Sequence, residues 1–328
     1  MPTNLPPEYF EVERQYRAAK TTEEKIRLLE ELMSTIPKHK GTDKLRADLR
    51  RRMSKLKDSM QQKKQPSRHA SLFRVEKEGD GRVVFAGPPN TGKSSLLAAL
   101  TNATPKISNS PYTTWVPLPG MMTFENVHIQ LIDTPPLSSE HVEPELIGLM
   151  RTADLLLIII DLQNDPLGQL QETVTIIRDH GITLFPATEE RQKIPTVPAL
   201  PVLVAVNKTD NTDLLEDFQI FCELLEEDWP LVGISAQSAH NLDKLQKMIF
   251  DGLHIIRIYS KPPGKEPDFN TPFVLKAGST VEEFAGKVHK DFLENLKTAR
   301  IWGRNVYDGQ FVGRDHVLHD GDVVELHT

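Results

Sequence analysis

The sequence predicts an α/β protein, a mostly parallel sheet with helices on both faces, preceded by a helical arm and followed by a smaller C-terminal module. Three observations lead there. From Gly81 to Leu253 short apolar runs alternate with segments of helical periodicity, the order that builds parallel strands joined by crossover helices. The apolar runs, such as Leu155–Ile160, are unbroken, as strands covered on both faces are. A glycine-rich turn, Gly87-x-x-x-x-Gly92-Lys93-Ser94, joins the first run to a helical segment.

Taken in order, residues 1–10 are proline-rich and read as extended, and the pattern is helical from about Glu11 to Met60. Thr21 and Thr22 precede Glu23 and Glu24 as an N-cap signal, with Ile26, Leu28, Leu29, Leu32 and Met33 at helical spacing. Pro37 and Gly41 break that helix. A second, over residues 42–61, places Leu45, Leu49, Met53 and Leu56 on a narrow stripe opposite Arg50, Arg51, Arg52, Lys55 and Lys57. The pattern is that of a helical hairpin, with residues 66–71 as a linker. Strands are then expected at Arg82–Ala86, Val127–Asp133, Leu155–Asp161, Pro201–Asn207 and Leu231–Ser235. Helices are expected from Gly92, near Pro144–Arg151, Leu167–His180 and Asp213–Glu226, and from Leu242 to Leu253. Residues 183–201, with four prolines, read as a long loop. In the last stretch Phe273–Lys276, Ala299–Trp302 and Asp322–Leu326 read as strands around one helix near Val281–Leu296. The expected divisions are an arm over 1–70, the sheet domain over 71–260, a linker over 261–271 and the terminal module over 272–328.

Composition narrows the function classes. At 328 residues, 38% hydrophobic and 26% charged, the chain has the make-up of a soluble protein of two or three domains. No apolar run approaches a membrane span, the N-terminus lacks a signal pattern, and the cytoplasm is the expected compartment. A single cysteine, Cys222, excludes an intrachain disulfide framework and a cysteine-based zinc site. The histidines, among them His128, His180 and His289, show no metal-ligand spacing. The net charge of −7 hides an asymmetry: residues 40–69 hold eleven Lys/Arg against three Asp/Glu. Such a segment is either a solvated face or a contact for nucleic-acid phosphates, giving salt-dependent affinity without base reading.

The glycine-rich turn is in the strand–loop–helix setting of a phosphate-binding loop. Gly87, Asn90, Thr91, Gly92, Lys93, Ser94 and Ser95 are its candidate contacts. Glycines let the backbone wrap a polyphosphate, so that successive N–H groups and the helix N-terminus face the anion. Lys93 would reach the β- and γ-phosphates, and the Ser94 hydroxyl would coordinate Mg²⁺. Asp133, ending the strand Ile129–Ile132, suits a carboxylate that holds Mg²⁺ through water. Between them, Pro111-Tyr112-Thr113-Thr114 offers a threonine to the metal and γ-phosphate, Thr114 first and Thr113 second. About 115 residues beyond the loop, Asn207-Lys208-Thr209-Asp210 follows another apolar strand. The Asp210 carboxylate can accept from guanine N1–H and its exocyclic amine, and it repels adenine, which presents an acceptor there. Asn207 and Lys208 would brace the loop and cover the base, and Ser235, Ala236 and Gln237 would close on the base edge. Ligands of open α/β sheets bind at these strand ends.

In order, these motifs resemble the guanine-nucleotide motifs of translation-factor-class GTPases, and within them the developmentally regulated GTP-binding proteins of the Obg–HflX group. The carrying stretches are Pro111-Tyr-Thr-Thr, Arg151-Thr-Ala-Asp-Leu, and Ile258-Tyr-Ser-Lys-Pro-Pro-Gly-Lys-Glu-Pro-Asp-Phe. The chain's end, with Leu275-Lys-Ala-Gly-Ser-Thr-Val-Glu-Glu-Phe, Ala299-Arg-Ile-Trp-Gly, Val312-Gly-Arg-Asp-His and Asp320-Gly-Asp-Val-Val-Glu-Leu, is similar to that family's TGS domain, a ubiquitin-like β-grasp module. The resemblance covers roughly residues 40–328. It implies a P-loop NTPase G domain binding GTP, GDP and Mg²⁺, and a GTPase using Lys93 and Thr114. It further implies action on the ribosome or RNA in translation, with residues 40–69 and the TGS domain as contact surfaces, no membrane partner, and room for a protein regulator.

Two departures stand out. Where the family's third motif reads Asp-x-Pro-Gly, this chain has Pro136 in place of the glycine whose N–H senses the γ-phosphate, and proline has no N–H. The Gly-rich segment that follows in the family is replaced by Leu137-Ser-Ser-Glu-His-Val-Glu-Pro. The eukaryotic members' extra domain before Asn207 is expected to be absent. Leu137 stands where Ras-like enzymes place a water-orienting glutamine. Relatives with an apolar residue there often depend on K⁺, and Asn90 matches the asparagine that binds it. A slow, K⁺-stimulated GTPase is one expectation, and a non-hydrolysing GTP/GDP-binding adaptor with an altered switch II is the other.

Overall fold

Continuous apolar strands need cover on both faces, and helices of amphipathic pattern supply it on each side of a single sheet. The structure, a computed structural model, describes residues 6, 11, 12, 14–16, 22–36, 49, 73–103, 116–139, 142–188, 199–210, 214–304 and 306–328. The chain divides into two units, Met1–Leu72 and Phe73–Thr328. In the first, helix α1 (Thr22–Thr35) buries Leu28, Leu29 and Leu32 against Val12, Ile36 and Leu49. Its last carbonyls are satisfied locally, Ser34 and Thr35 hydroxyls donating to Glu31 and Leu32. The second expected helix lies outside the described residues apart from Leu49, as do the basic side chains of 40–69.

In the second unit the chain runs β1 (Gly81–Ala86), α2 (Lys93–Leu100), β2 (Leu118–Phe124), β3 (Val127–Asp133), α3 (Pro144–Met150) and β4 (Leu155–Asp161). It continues through α4 (Pro166–Asp179), β5 (Thr183–Pro186), β6 (Ala199–Asn207), α5 (Leu214–Leu224), β7 (Leu231–Gly233) and α6 (Leu242–Gly252). Seven strands form one sheet in the order β2-β3-β1-β4-β6-β5, with β7 also paired to β6. Every pairing is parallel except β2 with β3. Successive residues of a strand face opposite sides, and the sheet obeys this: Val84, Ile158 and Val204 pack under α3, α4 and α5, while Val83, Phe85 and Ile159 pack under α2 and α6.

Two elements depart from the sequence reading. Residues 183–201 are not one loop, because β5 and the start of β6 pair in register across it, Leu184 with Leu200 and Phe185 with Pro201. Pro201 is tolerated because it precedes the stretch of β6 that pairs with β4, so no ladder there needs its N–H. The edge strand β2, with Pro119 and Gly120 and mostly incomplete burial, carried no strand signal in the sequence.

A second, five-stranded sheet follows, β11-β10-β12-β8-β9. Its strands are β8 (Ile255–Ser260), β9 (Phe273–Lys276), β10 (Thr298–Trp302), β11 (Gln310–Val312) and β12 (Val323–His327), with α7 (Val281–Val288) and α8 (Lys290–Asn295) beside them. Ile258, Ala299, Ile301 and Val324 meet Phe284 and Ala285 of α7 in its core. β8 lies ahead of the expected linker, because Ile256 and Ile258 belong to this core. The expected single helix over 281–296 is two, broken at His289, whose extended backbone ends α7 and whose ring accepts the Asp291 N–H.

Candidate functional site

The loop leaving β1 needs backbone that side chains would obstruct. A Cβ at Gly87, at φ 142°, would stand 2.2 Å from the Ile159 carbonyl oxygen, and one at Gly92, at φ 90°, 2.3 Å from the Asn207 amide nitrogen. Asn90 also has a positive φ, 63°. Gly92 caps α2 without a side-chain hydrogen bond, which leaves the helix's leading N–H groups to an anion. Lys93 folds back into its own loop and donates to the carbonyls of Gly87 (2.9 Å) and Pro88 (2.7 Å). Burial pulls its ammonium down to about 8, with Asp133 opposing.

Beside it, Ser94 Oγ donates to Asp133 Oδ2 at 2.5 Å. Asp133 is buried, and its Oδ1 has no hydrogen-bond partner. Burial pushes this carboxyl above its usual range, while the Ser94 hydroxyl and the Lys93 charge pull it back. After Asp133, the Thr134 hydroxyl donates to the Phe85 carbonyl (2.7 Å), and the Leu137 N–H to the Gly87 carbonyl (3.0 Å). Leu137 itself is buried among Leu146 and Ile147. Ser95 follows on α2, half-buried.

The opposite half begins where β6 ends. Asn207 is buried and joins two loops: its Nδ2 donates to the Thr91 carbonyl (2.8 Å), and its Oδ1 accepts from the Ala236 N–H (3.0 Å). Lys208, at φ 67°, is paired with Asp161 at the end of β4 at 2.5 Å. The Gln163 side chain donates to the Lys208 carbonyl (3.1 Å), and its backbone N–H donates to Asp161 Oδ1 (3.0 Å). Asp210 is open to solvent on its outer side and accepts from the buried Ser235 hydroxyl, which also receives the Ser238 N–H (3.1 Å). Gln237 is exposed.

All these residues stand at the C-terminal ends of β1, β3, β4, β6 and β7, so the loops of widely separated sequence share one sheet edge. Thr113 and Thr114 lie outside the described residues. Asp161 and Gln163 were not singled out from the sequence; an acidic residue ending an apolar run was the only signal. Among the described residues no cluster of His, Cys, Asp and Glu could hold a metal by itself, and no helix is long and apolar enough to cross a membrane.

Comparison with known proteins gives a consistent result. Residues 82–208 match the family described as 50S ribosome-binding GTPase, and residues 256–328 match the TGS domain. An uncharacterized GTP-binding protein of Methanocaldococcus jannaschii is 31% identical, over 93% of this chain and 92% of its own. Ribosome-interacting GTPase 1 of Saccharomyces cerevisiae is 27% identical, over 93% and 99%. The solved YchF GTPase of Schizosaccharomyces pombe aligns with a TM-score of 0.53 at 14% identity, over 77% of this chain and 99% of that one, a likeness of fold.

Proposed function

The chain belongs to the family of developmentally regulated GTP-binding proteins, and from that premise we propose a slow, Mg²⁺-dependent GTPase that acts on the ribosome or RNA in the cytoplasm. The observation that carries the nucleotide site is the double anchorage of Asn207, which ties the phosphate loop at Thr91 to the Ser235–Gln237 turn. One residue thus supports the loop we assign to the phosphates and the turn we assign to the base.

Lys93 exchanges the Gly87 and Pro88 carbonyls for phosphate oxygens, and Thr91, Gly92, Ser94 and Ser95 offer backbone N–H groups around them. The donors present suit magnesium, a hard cation that takes oxygen ligands: Asp133 keeps a buried, unpartnered carboxylate oxygen next to the Ser94 hydroxyl. Ser94, Asp133 and Thr114 would hold the ion, which when bound supplies positive charge against the β- and γ-phosphates. Asp210 selects guanine through its paired acceptors, with the Lys208 stem across the base. Asn90 is the residue we assign to K⁺. With Leu137 buried where a water-orienting side chain would stand, slow turnover is expected. The ribosome reading draws on the yeast relative's name and on the charge of residues 40–69, with the TGS domain as second contact.

Pro136 favours a second reading, a nucleotide-binding adaptor that does not hydrolyse. Single-turnover GTP hydrolysis at saturating enzyme, in K⁺ and in Na⁺, separates the two. The GTPase reading expects turnover that disappears in Lys93→Ala and slows in Na⁺. Tight binding without Lys93-dependent turnover in either salt supports the adaptor, and equal rates in both salts remove the role of Asn90.

A further inference from the structure

We infer that the segment from Thr134 to Ser139 holds one conformation whether the bound nucleotide has two phosphates or three, so that the third phosphate is not read there. The inference rests on the nucleotide site proposed above. Pro135 and Pro136 have no N–H to give. The next donor along the chain, Leu137 N–H, is bonded to the Gly87 carbonyl at 3.0 Å. Further on, the Ser139 N–H donates to Glu172 Oε1 of α4 at 3.2 Å. From Pro135 to Leu137, and again at Ser139, each backbone donor is thus absent or already used.

The side chains fix the same stretch from below. The Thr134 hydroxyl is bonded to the Phe85 carbonyl of β1, and Leu137 is 2% exposed within the core that holds Leu146 and Ile147. Moving the segment toward the phosphates would break its bond to the phosphate loop and uncover a buried leucine, with no new hydrogen bond from residue 136 in return. A partner that docks on this surface therefore meets the same face on the GDP and GTP forms.

Amide hydrogen exchange of the full chain tests this, read in peptides spanning 133–139 with Mg²⁺ and saturating GDP or non-hydrolysable GMPPNP. Occupancy is established first by displacement of a fluorescent guanine nucleotide. Exchange at Leu137, Ser138 and Ser139 is expected to agree within about twofold between the two nucleotides. Pro136→Gly and Pro136→Ala each restore an N–H, the second without added backbone freedom. Both are expected to show exchange slowed about tenfold by GMPPNP relative to GDP, the effect of one hydrogen bond to a charged acceptor. Wild-type exchange that changes about tenfold between the nucleotides would overturn the inference while leaving the nucleotide site standing. Two folded Pro136 variants as unresponsive as wild type would overturn the assignment to residue 136. Failure of either nucleotide to bind would overturn the functional reading, and this inference with it.

Discussion

Asn207 shows what a single residue can carry in this fold. Its amide has one donor and one acceptor committed to different loops, and both partners, the Thr91 carbonyl and the Ala236 N–H, would be left unpaired by truncation. Asn207, Lys208 and Asp210 were legible because a short polar tetrapeptide directly follows an unbroken apolar strand. The Lys208–Asp161 pair was not, since nothing in a sequence says which two strand ends become neighbours. Asp210 carries the sharpest test at this scale. Its charge is what makes the two bonds to guanine strong, so Asp210→Asn should weaken GTP binding by about ten- to a hundredfold and narrow the preference over ATP. Competition titrations read both, and an unchanged preference would remove Asp210 from base recognition.

At the scale of elements, legibility followed burial. β1, β4 and β6 are buried along their whole length, so each carries an apolar run, Val83–Ala86, Leu155–Ile160 and Val202–Val206, that marks it as a central strand. The edge strands β2 and β11 have one working face and left too few apolar residues to register. β8 was hidden for another reason: its partner in the parallel ladder, β12, lies at the far end of the chain. That pairing also places an acid inside the second sheet. Glu325 of β12 is buried and accepts from Lys261 just past β8, with His327 at 3.1 Å and Arg300 opposite it in register. The Lys261 ammonium, chiefly, holds this carboxyl below its ordinary 4.5. The stabilisation is therefore complete above about pH 4.5 and is lost as pH falls through the lowered value. Lys261→Met should cost roughly 2–4 kcal/mol at neutral pH, by leaving a buried carboxylate short of its partner, and should flatten the stability loss on acidification. Urea unfolding between pH 7 and pH 3 measures both; parallel curves for the two proteins would mean that Lys261 does not set the Glu325 charge state.

For the molecule as a whole, the sequence already separated a basic segment from an acidic remainder, and that asymmetry makes a prediction about assembly. Neutralising Arg50, Arg51 and Arg52 with glutamine in the full chain should weaken co-sedimentation with ribosomes. It should also make the fall of affinity with salt shallower, by about 0.7–0.9 in the log–log slope for each phosphate that is no longer neutralised. An identical slope would place the ribosome-binding surface elsewhere. Within the larger unit the two sheets are joined more firmly than their different architectures suggest. Only Leu253 and His254 separate α6 from β8. The turn of the β2–β3 hairpin is bonded across to the second sheet: Asn126 donates to the Tyr259 hydroxyl and the Phe269 carbonyl, and Glu125 pairs with Arg257. Arg257 is held in turn by Asp320 and lies over the Phe250 ring. The smaller sheet is thus bolted to the larger rather than hung from a tether. The hairpin is in effect a bracket: strands that run back to Leu118 and Asp133 end in a turn fastened to β8 of the outer sheet.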